Sequence, residues 1–306
     1  MPLVSILIPA YNQPQYIKKA VESALAQDYP NLEVIVSDDS TNYDTEVVLR
    51  EIKNEGRLHY GRNTVRKGRV GNYRHLLYHL AKGDWVLMLD GDDYLTDSHY
   101  ISEAMLLRET DNEIVLLGAT LQAINEQGTA EAGYSLASSD IVFDGKAVFS
   151  IYNKVPAHQT CLYPRKLAME LDFYRDPSAA SDSESLFRLC LLGKVGYIGK
   201  SVAVWRVHES NTTYTRNIGK QVRELNFIDS IYKAADHYID KSKLEKWRKT
   251  MYTGVSTHLL HLAFASGQFR YVFMILLKSG KYLGWKLSLV YALRTIGWMK
   301  QPAVTN

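Results

Sequence analysis

The chain has 306 residues, of which 46% are hydrophobic and 23% charged, and a formal net charge of +3. That is enough apolar material for one large α/β domain with an appendage, or for two domains, and it excludes the disordered and collagen-like classes. Its two cysteines, Cys161 and Cys190, sit in apolar company outside any CxxC or Cys/His pattern, so they read as reduced, buried thiols of a cytosolic protein rather than as a disulfide framework.

The opening "MPLVSILIPAYN" lacks the basic start and small-residue cleavage site of a signal peptide and runs straight into a strand, "VSILIP" at 4–9. "QYIKKAVESALAQ" follows as a helix with Ile17, Ala20, Val21, Ala24 and Leu25 on one face. Then come a strand "LEVIVS" at 32–37, a helix "YDTEVVLREIKN" and a short strand "RLHYG". Next is a helix "VGNYRHLLYHLAKG" stopped by Gly83, then a strand "WVLMLD". Short β-branched runs alternating with amphipathic helices predict an α/β fold with a mostly parallel central sheet and flanking helices. Right-handed crossovers bring the C-terminal ends of parallel strands to one edge, so Pro9 to Asn12, Ser37 to Ser40 and Asp90 to Asp93 should converge there.

From 100 to 215 the expected elements are a helix near 97–109, a long strand "EIVLLGATLQAI" and a Gly/Ser-rich connection around 128–139. A helix "SDSESLFRLCLLGK" with Leu186, Leu189 and Leu192 inward follows, then a strand "VGYIGKSVAVWRVH". These belong to one domain spanning 1–215. Residues 216–306 read as a helical, basic C-terminal arm with 15 Lys/Arg against 5 Asp/Glu, whereas residues 1–215 carry 21 against 28. After Glu245 there is no acidic residue at all. Such a segment favours an anionic surface.

"WVLMLDGDDYL" places Asp90, Asp92 and Asp93 at the end of an apolar strand. Crowded carboxylates repel one another, and a dication would remove that repulsion; hard oxygen ligands suit Mg2+ or Mn2+. A turn rich in Asp and Gly for conformational reasons is the simpler reading of such a motif taken alone. At the end of the second strand, Asp39 can accept from a pyrimidine ring N–H or from ribose hydroxyls, and an acid there can equally cap the next helix. No GxGxxG follows the first strand; "PAYNQPQ" stands in its place and argues against a dinucleotide site. In "RNTVRKGRVGN", Arg66, Lys67 and Arg69 precede a helix, where they suit a diphosphate or form a solvated basic loop.

The stretches "VSILIPAYNQPQYIKKAVESALAQDYPNLEVIVSDDST" and "GNYRHLLYHLAKGDWVLMLDGDDYL" together resemble the inverting family 2 glycosyltransferases with the GT-A fold, of bacterial polysaccharide type, closely over about residues 3–110 and more thinly to 213. The resemblance implies a metal-dependent hexosyl transfer from a nucleotide diphosphate sugar, a UDP-sugar favoured, to a glycan or lipid-linked saccharide. It places Pro9 and Tyr11 against the base, Asp39 on the base edge, and Asp90 and Asp92 on ribose, diphosphate and metal. Asn12, Arg66 and Arg206 complete the expected nucleotide-sugar site, and Asp92 and His208 the expected site for Mn2+ or Mg2+. The family's base usually lies in a Glu-Asp pair with an Arg six residues after the Asp. In "SDSESLFRL" Asp182 matches the base and Arg188 the Arg, while Ser181 stands where Glu is usual, leaving Glu184 as the alternative base. Asp182 as a helix N-cap fits the same residues. "WRVHESNTT" resembles the closing loop, which brings in Arg206 and His208, and "NKVPAHQTCLYPRKL" the acceptor-side segment, which places His158 and Gln159 near the incoming sugar.

The arm at 269–300 has no apolar run near the ~20 residues that span a bilayer. Its aromatic, aliphatic and purely cationic make-up suits an interfacial helix, and a helical hairpin packed on the catalytic domain or on another subunit fits it too. The expected setting is cytoplasmic, peripheral on the inner face of the plasma membrane, in cell-surface polysaccharide synthesis. Two other functions fit parts of the chain. A nucleotidyltransferase would want glycine and a cation in the loop after the first strand. A nucleic-acid-binding protein would use the basic tail through salt-sensitive phosphate contacts, a partner not expected here.

Overall fold

The structure, a computed structural model, describes residues 1–52, 56–178, 180–208, 211, 218–284 and 289–290. It has two compact units: Met1–Val148, Lys154–Pro177 and Ser181–Glu209 form the first, and Phe149–Asn153, Ser178–Ala180 and Ser210–Asn306 the second.

In the first unit, β1 (Val4–Ala10), β2 (Leu32–Asp38), β3 (Leu58–Arg62) and β4 (Trp85–Met88) are joined by α1 (Pro14–Leu25), α2 (Asp44–Arg50) and α3 (Arg69–His75). Pro14 opens α1, where a missing N–H costs nothing, and Ile17, Ala20, Val21 and Ala24 turn inward. β1 pairs in parallel with β2 and β4, and β2 with β3, so the loops after β1, β2 and β4 share one edge. Ile6, Ile8, Val34, Val36, Leu87 and Leu89 fill the core beneath them.

The helix expected to stop at Gly83 ends earlier. α3 runs on into a single π-helical turn, Leu76–Leu80, and the chain leaves it at Ala81, where ψ is 136°. Gly83 has a different cause: a Cβ there would lie 2.5 Å from the Ser5 hydroxyl and 2.7 Å from the Ser5 backbone nitrogen. Close approach to β1, not a left-handed cap, demands glycine.

The second half of the sheet contains β5 (Tyr94–Leu95), β6 (Ile114–Asn125), β7 (Ala130–Tyr134), β8 (Ile141–Asp144), β9 (Leu162–Pro164) and β10 (Lys194–Val207), with α4 (Tyr100–Glu109), α5 (Arg165–Glu170) and α6 (Ser181–Cys190). Among the described residues the order is β3-β2-β1-β4-β9-β6-β10-β5, with β7 beside β6 and β8 beside β10. β6 and β10 are parallel, while β9 enters antiparallel between β4 and β6. The connection expected at 128–139 holds β7, because Asn125 Oδ1 accepts from the amides of Gln127 and Thr129 and Gly128 adopts φ +75°, turning the chain back into a hairpin. Leu186 and Leu189 are buried as expected, but Leu192 lies past the end of α6 and is 38% exposed. Cys161 and Cys190 are free and buried, and burial pushes both thiols well up.

The second unit is built on α7 (Ile218–Glu224), α8 (Asn226–Ala235), α9 (Lys241–Ala265) and α10 (Phe269–Leu283). Asp240 caps α9 through the amides of Ser242 and Lys243. Trp247 is fully buried against Phe149, and the Tyr252 and Tyr282 rings stack 4.2 Å apart. α10 buries Val272, Ile275 and Ser279 and leaves Phe273, Met274 and Leu277 exposed, Leu277 by 89%. Trp285 and Trp298 of the same arm lie outside the described residues. Among the described residues no helix is long and apolar enough to cross a membrane.

Candidate active site

The edge where β1, β2 and β4 end carries the polar loops. Asn12, at φ +52°, donates its backbone N–H to the Ser40 hydroxyl and accepts the Thr41 N–H on Oδ1, so the β1 and β2 ends are tied together. Gly91 lets the acidic turn pack on them: a Cβ there would sit 2.8 Å from the Pro9 carbonyl. Tyr11 is 38% exposed, with the Arg66 guanidinium lying 4.1 Å over its ring.

Asp39 is more occupied than a free base-reading carboxylate. It accepts from Asn63 Nδ2 at 2.7 Å, from the Gly68 N–H at 2.7 Å and from the Lys67 N–H at 3.0 Å, and thereby holds the loop that presents Arg66.

Asp90, Asp92 and Asp93 each offer an oxygen, and these lie within 4.8 Å of one another. Burial and then the neighbouring carboxylates push Asp93 well up, and burial followed by Asp90 pushes Asp92 up. Asp93 is tied down by Gln159 Nε2 on one oxygen and the Arg206 N–H on the other, both at 2.9 Å. Asp92 Oδ2 accepts from Gln13 Nε2 at 2.9 Å and lies 3.1 Å from His208 Nε2. Asp90 Oδ1 accepts the Tyr73 hydroxyl at 2.5 Å. Asp90 Oδ2 and Asp92 Oδ1 are left without a hydrogen-bond partner among the described residues. Two open hard oxygens in a repelling, buried acidic cluster fit Mg2+ or Mn2+.

The β10 strand delivers the last two expected residues by register. Ala203 faces Leu95 and Val204 faces Tyr94 in antiparallel pairing, so two residues further on Arg206 comes level with the acidic turn. Its guanidinium lies over the rings of Tyr16 and Tyr94 and donates to the Asp92 carbonyl at 2.6 Å. Arg206 therefore braces the turn. His208 stacks on Tyr16 at 5.1 Å.

At the start of α6, the two candidate bases have different surroundings. Glu184 is fully buried and held by Arg175 at 2.7 Å and Arg188 at 2.8 Å. Asp182 is half-buried, accepts the Ser183 N–H on Oδ1 and has Oδ2 3.9 Å from His158 Nδ1. Arg188, expected to accompany Asp182, instead pairs with Glu184 and donates to the Leu171 and Asp172 carbonyls.

Arg69 and Tyr73 join the two acidic regions. Burial works against the charge of Arg69, but Tyr73, Asp182 and Asp90 together raise its pKa and hold it charged. Tyr73 is buried and pushed well up, by burial first, with Asp90 and Asp182 adding to it. Arg69 reads from sequence only as one of three loop cations, and nothing singles out Tyr73. Their spacing of four residues on α3 was the available signal. His158 is buried and packs against Tyr73 and Tyr174, which also touch one another, and Gln159 donates to Asp93.

Residues 5–168 match the model of Glycosyl transferase family 2. The chain belongs to that family, as its motifs implied, and its first unit has the GT-A fold. It is 24% identical over 187 residues to the poly(ribitol-phosphate) beta-N-acetylglucosaminyltransferase TarS of Staphylococcus aureus, which covers 60% of this chain and 31% of TarS. It is 40% identical over 111 residues to the Escherichia coli UDP-Glc:alpha-D-GlcNAc-diphosphoundecaprenol beta-1,3-glucosyltransferase WfaP, covering 36% of this chain and 43% of WfaP. The chain thus matches less than half the length of either relative. The structure of S. aureus TarS 1-349 in complex with UDP superposes with a TM-score of 0.71 at 16% identity, over 97% of this chain and 88% of that one. The mannosyltransferase PcManGT of Pyrobaculum calidifontis, in complex with GDP-Man and Mn2+, gives 0.57 at 17% identity, over 97% of this chain and 86% of that one.

Proposed function

We propose that this chain transfers a sugar from a nucleotide diphosphate sugar, UDP-linked, to a hydroxyl of a glycan or lipid-linked saccharide, with inversion at the anomeric carbon. The observation that supports the reading is the run of contacts from the acidic turn to Asp182: Asp90 Oδ1 accepts from the Tyr73 hydroxyl, the Tyr73 ring packs on His158, and His158 Nδ1 lies 3.9 Å from Asp182 Oδ2. Asp182 takes the proton of the acceptor hydroxyl as that oxygen bonds to the anomeric carbon. The bond from that carbon to the diphosphate oxygen breaks, and its electron pair leaves with the diphosphate. Asp90 and Asp92 would hold Mn2+ or Mg2+, which supplies positive charge against the leaving diphosphate. Arg69 adds a fixed cation to the same region. Pro9, Tyr11, Asn12 and Arg66 shape the nucleotide pocket, Asp39 fixes its loop, and Arg206 and His208 close it over Asp92. His158 and Gln159 line the acceptor side.

UDP is favoured because the TarS structures hold UDP and UDP-GlcNAc, and the lipid-linked acceptor because the E. coli relative is named for one. Residues 1–215 are the transferase domain and 216–306 the basic arm. In this reading the enzyme works on the inner face of the plasma membrane in polysaccharide synthesis, and the exposed Phe273, Met274 and Leu277 beside Lys281, which suit an anionic surface, support it. Co-sedimentation with phosphatidylglycerol vesicles should be strong at low salt, weaker at high salt and reduced by Leu277→Asp; no binding at low salt contradicts the membrane placement.

A thermal-shift panel of UDP, GDP and dTDP, each with and without Mn2+, tests the main reading. A ligand at a hundred times its Kd stabilises by about 2.7 kcal/mol, so UDP with Mn2+ should raise Tm the most. No shift with any nucleotide would overturn it.

A further inference from the structure

We infer that His158 is a positioning residue for Asp182: its Nδ1–H orients the carboxylate that takes the acceptor's proton. The inference rests on the reading of Asp182 as the base.

His158 is 7% exposed, and its Nε2 lies 2.9 Å from the Tyr174 hydroxyl, which lies 2.7 Å from the Tyr163 hydroxyl. Nδ1 is buried with no hydrogen-bond partner, and Asp182 Oδ2 stands 3.9 Å away. Leaving a buried polar atom unpaired forfeits the hydrogen bond it made to water, so a histidine kept only to fill the core is a poor choice at this position. Hydrogen bonds at catalytic groups often tighten only when substrate is bound, and a closure of about 1 Å would complete this one.

The hydroxyl chain decides which nitrogen carries the proton. If Tyr163 donates to Tyr174 and Tyr174 donates to Nε2, the neutral ring has its one proton on Nδ1, facing the carboxylate. In the opposite sense, Nε2–H donates to Tyr174 and a bare Nδ1 lone pair faces the carboxylate, two acceptors with no proton between them. Electrostatics selects the first arrangement.

The backbone supports the same assignment. Tyr174 is fully buried at φ +60°, a left-handed conformation that is costly for a bulky side chain and persists only where its surroundings enforce it. The enforcing contact is to α6 itself: the Tyr174 N–H donates to Ser185 Oγ at 2.9 Å, and Ser185 Oγ donates to the Ser181 carbonyl. The residue that sets the His158 tautomer is thus pinned to the helix that carries Asp182. Tyr73 also packs on the imidazole, 5.5 Å between ring centres, and on Tyr174 at 5.1 Å, so the three rings hold one another.

Two half-replacements separate positioning from packing. His158→Gln puts an amide near the Nε2 position and loses the Nδ1 donor; His158→Asn keeps a donor near Nδ1 and loses the link to Tyr174. With UDP-glucose or UDP-N-acetylglucosamine as donor and undecaprenyl-diphosphate-linked N-acetylglucosamine as acceptor, Gln should lower kcat by about 10–100-fold at near-unchanged KM for donor, the size of a 1 Å misplacement. Asn should recover most of that loss, and UDP binding should be equal in both. Gln with wild-type kcat, or both variants losing kcat in step with Tm, overturns the inference. Asp182→Asn in the same assay separates the two readings: if it turns over normally, the base assignment fails, and if it is inactive while Gln is fully active, only the role of His158 fails. Independently of turnover, 15N NMR of the histidine rings, assigned with His158→Asn, should show the Nδ1–H tautomer at His158; the Nε2–H tautomer would overturn it.

Discussion

Asp182 and Glu184 stand two residues apart in the first turn of α6, on different faces, yet the protein treats them in opposite ways. Glu184 is buried between two arginines, with each oxygen taken by a guanidinium. Asp182 is partly open and faces a buried nitrogen that has no partner. A buried acid whose charge is fully answered serves the fold. An acid left half answered, beside an imidazole whose Nδ1 has no partner, has capacity for a proton. The Asp90 turn repeats the lesson: Asp93 is satisfied on both oxygens, while Asp90 and Asp92 each keep one open.

That contrast can be broken at several points. Asp92→Asn should lower transfer by on the order of 10²–10³-fold, comparable to removing a charge-stabilising group from an active site. Tm should hold or rise, since one of the crowded charges is gone. Transfer at the wild-type rate would show that the open oxygen is unused. Glu184→Gln should act the other way, costing about 3–5 kcal/mol in urea unfolding because Arg188 is left buried without its counter-charge, with kcat per folded molecule near wild type. A stable variant with no activity would exchange the roles of the two acids.

Asp39→Ala should be milder. It strips partners from the Lys67 and Gly68 amides and from Asn63, for about 1–3 kcal/mol of stability, and weakens UDP binding measured by calorimetry. Unchanged UDP affinity would mean that the loop carrying Arg66 does not need this anchor.

The smallest effect concerns the surface pair Asp28 and His99, 2.6 Å apart. Hydrogen bonds from Ser102 and then His99 hold the Asp28 carboxyl below its ordinary 3.8, and the bond to Asp28 holds His99 above its ordinary 6.5. The Asp28 contribution is present above 3.8 and lost as pH falls through the lowered value. The His99 contribution is present below 6.5 and lost as pH rises through the raised one. The Tm advantage of wild type over His99→Gln should therefore be visible near the middle of that window and vanish at alkaline pH; an advantage that grows with pH contradicts the pair.

Much of the first half was readable because its signals are contiguous. Strand, turn and carboxylates follow one another in "WVLMLDGDDYL", and Arg206 and His208 share one strand end. Gly83 was misread because its reason is Ser5, 78 residues away. β7 and β8 escaped notice as short edge strands, one of them "AEAGY", which alternation does not mark. The proposal of Asp182 rests in the sequence on family resemblance alone, since what distinguishes it from Glu184 is where Arg175 and Arg188 point. The Gln159 contact to Asp93 was not readable, and the link through Arg69, Tyr73, His158 and Tyr174 draws on segments that only the folded sheet brings together.

The most direct test of the account is Asp182→Asn, with turnover and UDP affinity in the presence of Mn2+ measured on one preparation. The amide keeps the shape of the carboxylate and cannot take a proton, so kcat should fall by roughly 10²–10⁴-fold while the UDP Kd and Tm stay at wild-type values. A variant that transfers sugar at the wild-type rate would contradict the central claim.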